Sequence, residues 1–246
     1  MDETVRLNRY ISLCGVCSRR EADRLIEDGR VQVDGQPAQA GMQVSDLQCI
    51  TVDGKRIHPA QQELVYLLNK PAGYVCTTDS RWGDPLVADL IPSQVRLFPM
   101  GRLDKDSRGL LLMTNRGDLV NKVMKAGNLH EKEYEVTVSR KITRAFTEQM
   151  AGGIWLEELQ TATRPCKVWK TGPDQFHIVL TQGLNRQIRR MCNVCGYHVT
   201  DLCRVRIMNL ELGQLGSGEY RRLTGEEVRA LEQLVADSPD NPEHNR

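Results

Sequence analysis

The sequence predicts an α+β protein in two unequal parts. A small module of two helices and short strands is followed by a larger domain with a mixed, mainly antiparallel sheet flanked by helices. Three observations carry this. Strand-like and helix-like stretches are interspersed at hairpin-like spacings. The first 58 residues hold helix signals followed by two Asp-Gly turns, each beside alternating residues. A polar stretch broken by proline, His58-Pro59-Ala60-Gln61-Gln62, then precedes a more apolar remainder. The expected division is a module at 4–58, a linker at 59–63, a domain at 64–236 and a disordered tail at 237–246, which offers no apolar residue to bury.

In chain order, Val5, Leu7, Ile11 and Leu13 alternate irregularly with Arg6, Asn8 and Arg9 across residues 4–13. Ser18 stands where an N-cap would, with Glu21 three residues on, so a helix follows at 19–28 and Gly29 stops it. Arg30-Val31-Gln32-Val33-Asp34-Gly35 predicts a hairpin, and Ile50-Thr51-Val52-Asp53-Gly54-Lys55 a second. Arg6, Arg9, Arg19, Arg20 and Arg24 fall on the exposed helix faces, balanced by Glu21, Asp23, Glu27 and Asp28. Beyond the linker, the apolar run Leu64-Val65-Tyr66-Leu67-Leu68-Asn69 ends at Lys70-Pro71-Ala72-Gly73, as a buried strand and turn should. Residues 133–138 and 175–180 alternate as strands. Helices are expected at 117–126, 143–150, 186–195 and 225–235, with Asn185 as the cap of the third.

A chain of 246 residues can bury a sizeable core. With Lys+Arg 33 against Asp+Glu 32, net charge nominates no partner, so any electrostatic signal is local. One local signal stands out: Arg186, Arg189, Arg190, Arg204 and Arg206 face a single acid, Asp201, in the stretch 183–206. Such a concentration suits a phosphate backbone. No apolar run nears the roughly 20 residues that span a bilayer, and the first residues lack a signal-peptide layout. The expectation is a cytoplasmic protein without membrane contact.

Among eight cysteines, Cys14-Gly15-Val16-Cys17 and Cys192-Asn193-Val194-Cys195 are C-x-x-C pairs, which raises a zinc or redox reading. They lie about 175 residues apart, far beyond ordinary zinc modules. Cys49, Cys76, Cys166 and Cys203 sit singly among apolar neighbours as small hydrophobes. No metal is expected. The remaining chemical signal is Gly101-Arg102-Leu103-Asp104-Lys105-Asp106-Ser107-Arg108-Gly109, which leads into the buried run 110–113. A carboxylate among bases, on a loop anchored by buried segments, can serve as nucleophile or general base. On those residues alone, a solvated turn is the commoner reading.

Longer motifs decide between the two. Arg6-Leu7-Asn8-Arg9-Tyr10-Ile11, Cys17-Ser18-Arg19-Arg20-Glu21-Ala22-Asp23 and residues 29–35 together resemble the S4 RNA-binding module. Asn69-Lys70-Pro71-Ala72-Gly73, the block 101–110, Lys132-Glu133-Tyr134-Glu135-Val136, Gly183-Leu184-Asn185-Arg186-Gln187-Ile188-Arg189-Arg190-Met191 and residues 206–210 resemble the RsuA/RluB/RluE/RluF family of pseudouridine synthases. The resemblance implies isomerisation of a uridine in structured RNA, without cofactor or metal. It implies Asp104 as the catalytic carboxylate, Arg189 as its ion partner and Tyr134 as the ring stacked on the target uracil. Arg102 would fill the stack that the flipped base vacates. Leu103, Lys105, Asn185, Arg186, Gln187, Ile188 and Arg190 would contact RNA beside them, and Arg6, Arg9, Arg19 and Arg20 would do so from the S4-like module. Details such as Asn121-Lys122 and His130-Glu131-Lys132 are most similar to the RluF branch. That implies a 23S ribosomal RNA stem-loop as partner and a monomeric enzyme; 16S ribosomal RNA, a tRNA, or a non-catalytic S4-type RNA binder are the alternatives.

Overall fold

The computed structural model describes residues 4–59, 62–77, 83–124 and 129–236, so the expected tail and the middle of the expected linker lie outside the described residues. The chain divides into two compact units. One holds the residues up to Leu64 together with 93–97 and 115–117; the other holds the rest.

In the first unit the segment 4–13 opens as a short strand, β1 (Val5–Arg6), before the helix α1 (Leu7–Leu13). Ser18 caps α2 (Arg19–Glu27), accepting from the Glu21 amide at 3.2 Å. The Glu21 side chain pairs with Arg24 instead of reaching back, so only half of the capping box forms. Strands β2 (Val31–Val33) and β3 (Gln36–Pro37) form a hairpin, β4 (Gln43–Val44) pairs with β1, and β5 (Ile50–Val52) and β6 (Lys55–Arg56) form the second hairpin. At both turns the Asp-Gly pair is left-handed, with φ of 52° and 79° at Asp34-Gly35 and 50° and 75° at Asp53-Gly54. A two-residue turn of that kind matches the twist of its strands. Leu7, Tyr10, Ile11, Ala22 and Ile26 close a core against Val31, Val44 and Ile50.

The second unit is built on one nine-stranded sheet. Its strands are β7 (Val65–Lys70), β8 (Phe98–Met100), β9 (Arg108–Thr114), β10 (Lys132–Val138), β13 (Lys167–Lys170), β14 (Gln175–Leu180), β15 (Val199–Ile207), β16 (Leu210–Glu211) and β17 (Tyr220–Arg222), with β11 (Trp155–Leu156) and β12 (Thr161–Ala162) as a separate ribbon. The order is β13-β14-β10-β15-β9-β7-β17, with β16 on β15 and β8 on β9. All pairings are antiparallel except that of β9 with β15. The sheet is therefore mixed and mainly antiparallel. From Gly109 to Thr114 β9 is buried at every residue, which is why it reads as a continuous apolar run.

Helices α3 (Gly117–Met124), α4 (Arg144–Gly152), α5 (Gln187–Val194) and α6 (Gly225–Val235) flank the sheet. Two cores result: Val136, Phe146, Met150, Phe176 and Met191 in one, Leu67, Leu110, Leu112, Leu119 and Leu231 in the other. The parallel contact pairs Gly109 with Arg204. There φ is 103°, and a Cβ would meet the Arg204 carbonyl and, at 2.7 Å, its nitrogen. Only glycine lets these strands approach so closely. No described helix is long and apolar enough to cross a membrane.

Candidate active site

Asp104 lies on the loop between β8 and β9, and that loop is held from beneath. Lys70, at the end of β7, is fully buried. Its Nζ donates to the carbonyls of Ser107 at 2.6 Å, Pro71 at 3.0 Å and Asp104 at 3.2 Å. Burial pushes the Lys70 ammonium below its ordinary range, and nearby Cys76, Asp106 and Asp104 counter that. Further anchors come from the Gly73 amide on the Lys105 carbonyl at 2.7 Å and the Ser107 amide on the Asp104 carbonyl at 3.1 Å. The loop geometry is thus fixed by backbone contacts that leave the Asp104 side chain free to face solvent or a ligand.

The cation beside Asp104 is Arg186, whose Nη1 is 3.7 Å from Oδ2. Arg186 also grips Asp106 with two hydrogen bonds, at 3.2 and 3.0 Å. Arg189, expected as the partner of Asp104, reaches Asp106 instead, with Nη2 3.3 Å from its carboxylate. The Arg189 guanidinium further donates to the Asp106 carbonyl at 3.1 Å, Ser107 Oγ at 3.3 Å and the Val199 carbonyl at 3.3 Å. It braces the loop from behind. Partial burial opposes ionisation of Asp106, but the bonds from Arg186 and the charge of Arg189 outweigh it and hold that carboxyl below the usual range.

The reason lies in how α5 begins. Its N-cap is Arg186, left-handed at φ 50° and without a side-chain cap, and the turn before it is closed by Gln187 Oε1 accepting from the Leu184 amide at 3.1 Å. Asn185 does not cap the helix; its Oδ1 and carbonyl accept from Arg190 at 3.2 and 3.0 Å. Arg190 also pairs with Glu158, so its charge is engaged within the fold. Among the described residues Arg186, Arg189 and Arg206 are also ion-paired, and Arg204 is not. Arg206 pairs with Glu131 and Glu133, and Arg204 is buried. The acids that pair with four of these arginines are distant in sequence and the fifth, Arg204, is buried, so the open cationic face expected from residues 183–206 does not form.

A cavity of about 540 Å³ opens beside Asp104, within the range of small-ligand sites. Of the expected residues, Arg102, Leu103, Asp104 and Lys105 line it from one loop, Tyr134 from β10, and Asn185, Arg186, Gln187 and Ile188 from the start of α5. Arg189 and Arg190 do not line it. Arg102 is exposed without an ion-pair partner among the described residues, whereas Lys105 pairs with Asp84 at 2.7 Å. Pairing of β10 with β15 shifts register between Glu133 and Tyr134, a bulge at the point where Tyr134 enters the pocket. Lys132 and Arg204 also line the cavity; the sequence points to Lys132 only within the motif 132–136 and to Arg204 only as part of the cationic stretch. Strand alternation around Tyr134 would have put Lys132 on the same face. In the first unit Arg6, Arg19 and Arg20 are exposed and Arg9 is half-buried, none with an ion-pair partner among the described residues.

All eight cysteines are free thiols, and burial pushes those of Cys14 and Cys192 up to about 12. Among the described residues no group of three or more His, Cys, Asp or Glu side chains is arranged to hold a metal ion.

Comparison with known proteins identifies the family. Residues 64–194 match the RNA pseudouridylate synthase family, and residues 5–46 match the S4 domain. The dual-specificity RNA pseudouridine synthase RluF of Escherichia coli (strain K12) is 50% identical over 239 residues, covering 96% of this chain and 81% of that protein. The uncharacterized RNA pseudouridine synthase Rv1711 of Mycobacterium tuberculosis is 35% identical, covering 94% of each. A crystal structure of a pseudouridylate synthase superposes with a TM-score of 0.69 at 27% identity, covering 92% of this chain and 99% of that one. The chain belongs to the RNA pseudouridylate synthase family and carries an S4 domain at its amino-terminal end.

Proposed function

We propose that the enzyme isomerises a uridine of 23S ribosomal RNA to pseudouridine in the cytoplasm, with Asp104 as the reacting carboxylate. Asp104 would accept C1′ of the target nucleotide, or assist loss of a sugar proton, as the N1–C1′ bond breaks. The base then turns, C5 bonds to C1′, and the C5 proton is released while N1 gains one. Atoms and electrons balance within the substrate, so the step calls for no oxidant or reductant. The single observation behind this reading is an aspartate rigidly held at the wall of a nucleotide-sized pocket, on the family's own motif. Tyr134, which lines the same pocket, would stack on the uracil. Arg102 is free to fill the stack the base leaves, offsetting an unstacking cost of a few kcal/mol. We assign Arg186 as the cation beside Asp104, and Arg189 as a residue that positions the loop. A second RNA substrate, for which a tRNA is our candidate, fits the dual specificity in the name of the 50% identical relative.

Asp104→Asn tests the reading. It keeps shape and hydrogen bonding while removing the carboxylate, so the variant should fold and bind RNA yet form no pseudouridine. Conversion within about tenfold of wild type, ~1.4 kcal/mol in the barrier, would rule Asp104 out. Mapping pseudouridines in total RNA with and without the protein identifies the substrate.

A further inference from the structure

Two buried cations in the pocket have no counter-ion among the described residues. Lys132 and Tyr134 are two apart on β10, and Arg204 stands opposite Tyr134 on β15. All three line the pocket. Lys132 is 6% exposed and Arg204 1%. Arg204 Nε donates to the Leu110 carbonyl at 2.7 Å, which leaves the buried Nη2 without a hydrogen-bond partner. Lys132 Nζ has one protein acceptor, the His130 carbonyl at 3.2 Å. Neither side chain forms an ion pair among the described residues. On the opposite face of the same strands, Arg206 is fully paired with Glu131 and Glu133, so the lack of partners is confined to the pocket side.

Burying an unpaired cation is costly, and the fold does it twice side by side. Burial, and then the charge of Arg204, push the Lys132 ammonium down to about 8. An arriving negative charge would relieve both costs. The reaction makes one in this cavity. When N1–C1′ breaks, the bonding pair stays on N1 and spreads to O2 and O4 of the ring, giving a uracil anion. The deficiency at C1′ is met by a bond to Asp104, whose charge is lost, or by loss of the C2′ proton. Either way the base carries the charge until C5 bonds to C1′ and N1 takes up a proton.

We propose that Lys132 and Arg204 form the receiving site for the detached uracil anion, binding its carbonyl oxygens while the base turns to present C5. This rests on the reading of Asp104 as the reacting carboxylate. Fixed donors aimed at charge that develops only during reaction act on the rate more than on binding. The same pair would also retain the free base, which is otherwise a diffusible product.

The experiment uses the full chain and any unmodified transcript that the wild type converts. It compares wild type, Asp104→Asn, Lys132→Met, Lys132→Gln and Lys132→Arg. Lys132→Met should fold and melt no lower than wild type at pH 7, because a desolvated charge is gone. Its single-turnover rate at saturating RNA should fall about a hundredfold, with RNA affinity and its salt dependence within twofold. Lys132→Arg should recover part of the rate. A transcript with 5-fluorouridine at the target releases a more stable anion, so base detachment should suffer less from Lys132→Met there than with uridine. Should Lys132→Met not fold, Lys132→Gln carries the same rate comparison. A saturated rate within threefold of wild type overturns the proposal. So does a loss that more RNA restores, which would make these cations a phosphate site. An active Asp104→Asn variant would instead sink the reading beneath it.

Discussion

Asp104 was legible because the carboxylate, its glycines and its flanking bases lie within ten consecutive residues. Its surroundings were not. Arg189 and Arg186 are equally cationic on paper, and only the left-handed turn at Arg186 decides which one reaches Asp104. The sequence puts Lys70 at the start of the turn after a strand, and nothing local shows that its ammonium will be enclosed by carbonyls 34 to 37 residues away. Lys70→Met should leave those carbonyls without their donor. Each buried unsatisfied group costs about 1–3 kcal/mol, partly offset by removing a desolvated charge. We expect a net loss of about 2–4 kcal/mol, read as a lower urea midpoint at unchanged slope. Pseudouridine formation should fall at least a hundredfold as the loop loosens. An unchanged midpoint would mean that Lys70 does not hold the loop.

Elements with strong local chemistry were foreseen, and elements defined by pairing were not. The Asp-Gly hairpins and the Ser18 cap follow from residues adjacent in sequence. The bulge at Tyr134, the grip of Arg186 on Asp106 and the ion pairs of Arg190 and Arg206 depend on partners far along the chain. Helix α6 is a local case with a measurable pH signature. Thr224 and Glu227 form a full capping box, and Glu227 also accepts two hydrogen bonds from Arg221, at 2.7 and 2.8 Å. Those bonds, against a smaller effect of burial, bring the Glu227 carboxyl down from 4.5 to about 2. A carboxyl lowered in the folded state stabilises fully above its unfolded pKa and loses that contribution as pH falls through the folded one. Glu227→Gln should therefore lower the melting temperature at pH 7, by about 1 kcal/mol equivalent for a partly exposed pair. The gap should hold down to about pH 4.5 and shrink toward pH 2. A gap independent of pH would show that the charge of Glu227 contributes nothing.

Over the whole molecule, the α+β class and the two-part organisation could be read because composition and turn chemistry change near residue 60. The return of residues 93–97 and 115–117 to the first unit could not, since no local pattern marks it. The first unit has its own core, drawn from residues 5–57, and the two cores of the second unit draw on residues 65–235. We propose that the amino-terminal part docks RNA and the remainder performs the chemistry. Deleting residues 1–58 should then leave folded protein with weaker RNA affinity and a saturated rate changed much less. Equal affinity at several salt concentrations would remove the docking role.

The parallel pairing of β9 with β15 also sets the order in which the protein becomes an enzyme. Its contacts join residues more than 90 apart, including the Arg204–Leu110 bond and the bidentate Arg108–Asp201 pair. Such long-range closures come late, because the intervening chain must be ordered first. A growing chain has its S4 domain complete while β15 is still unmade, and without β15 the Asp104 loop has no strand to seat Gly109. Synthesis thus passes through a stage that holds an RNA-binding domain and no active site, so a chain cut short before residue 199 would compete for RNA without modifying it.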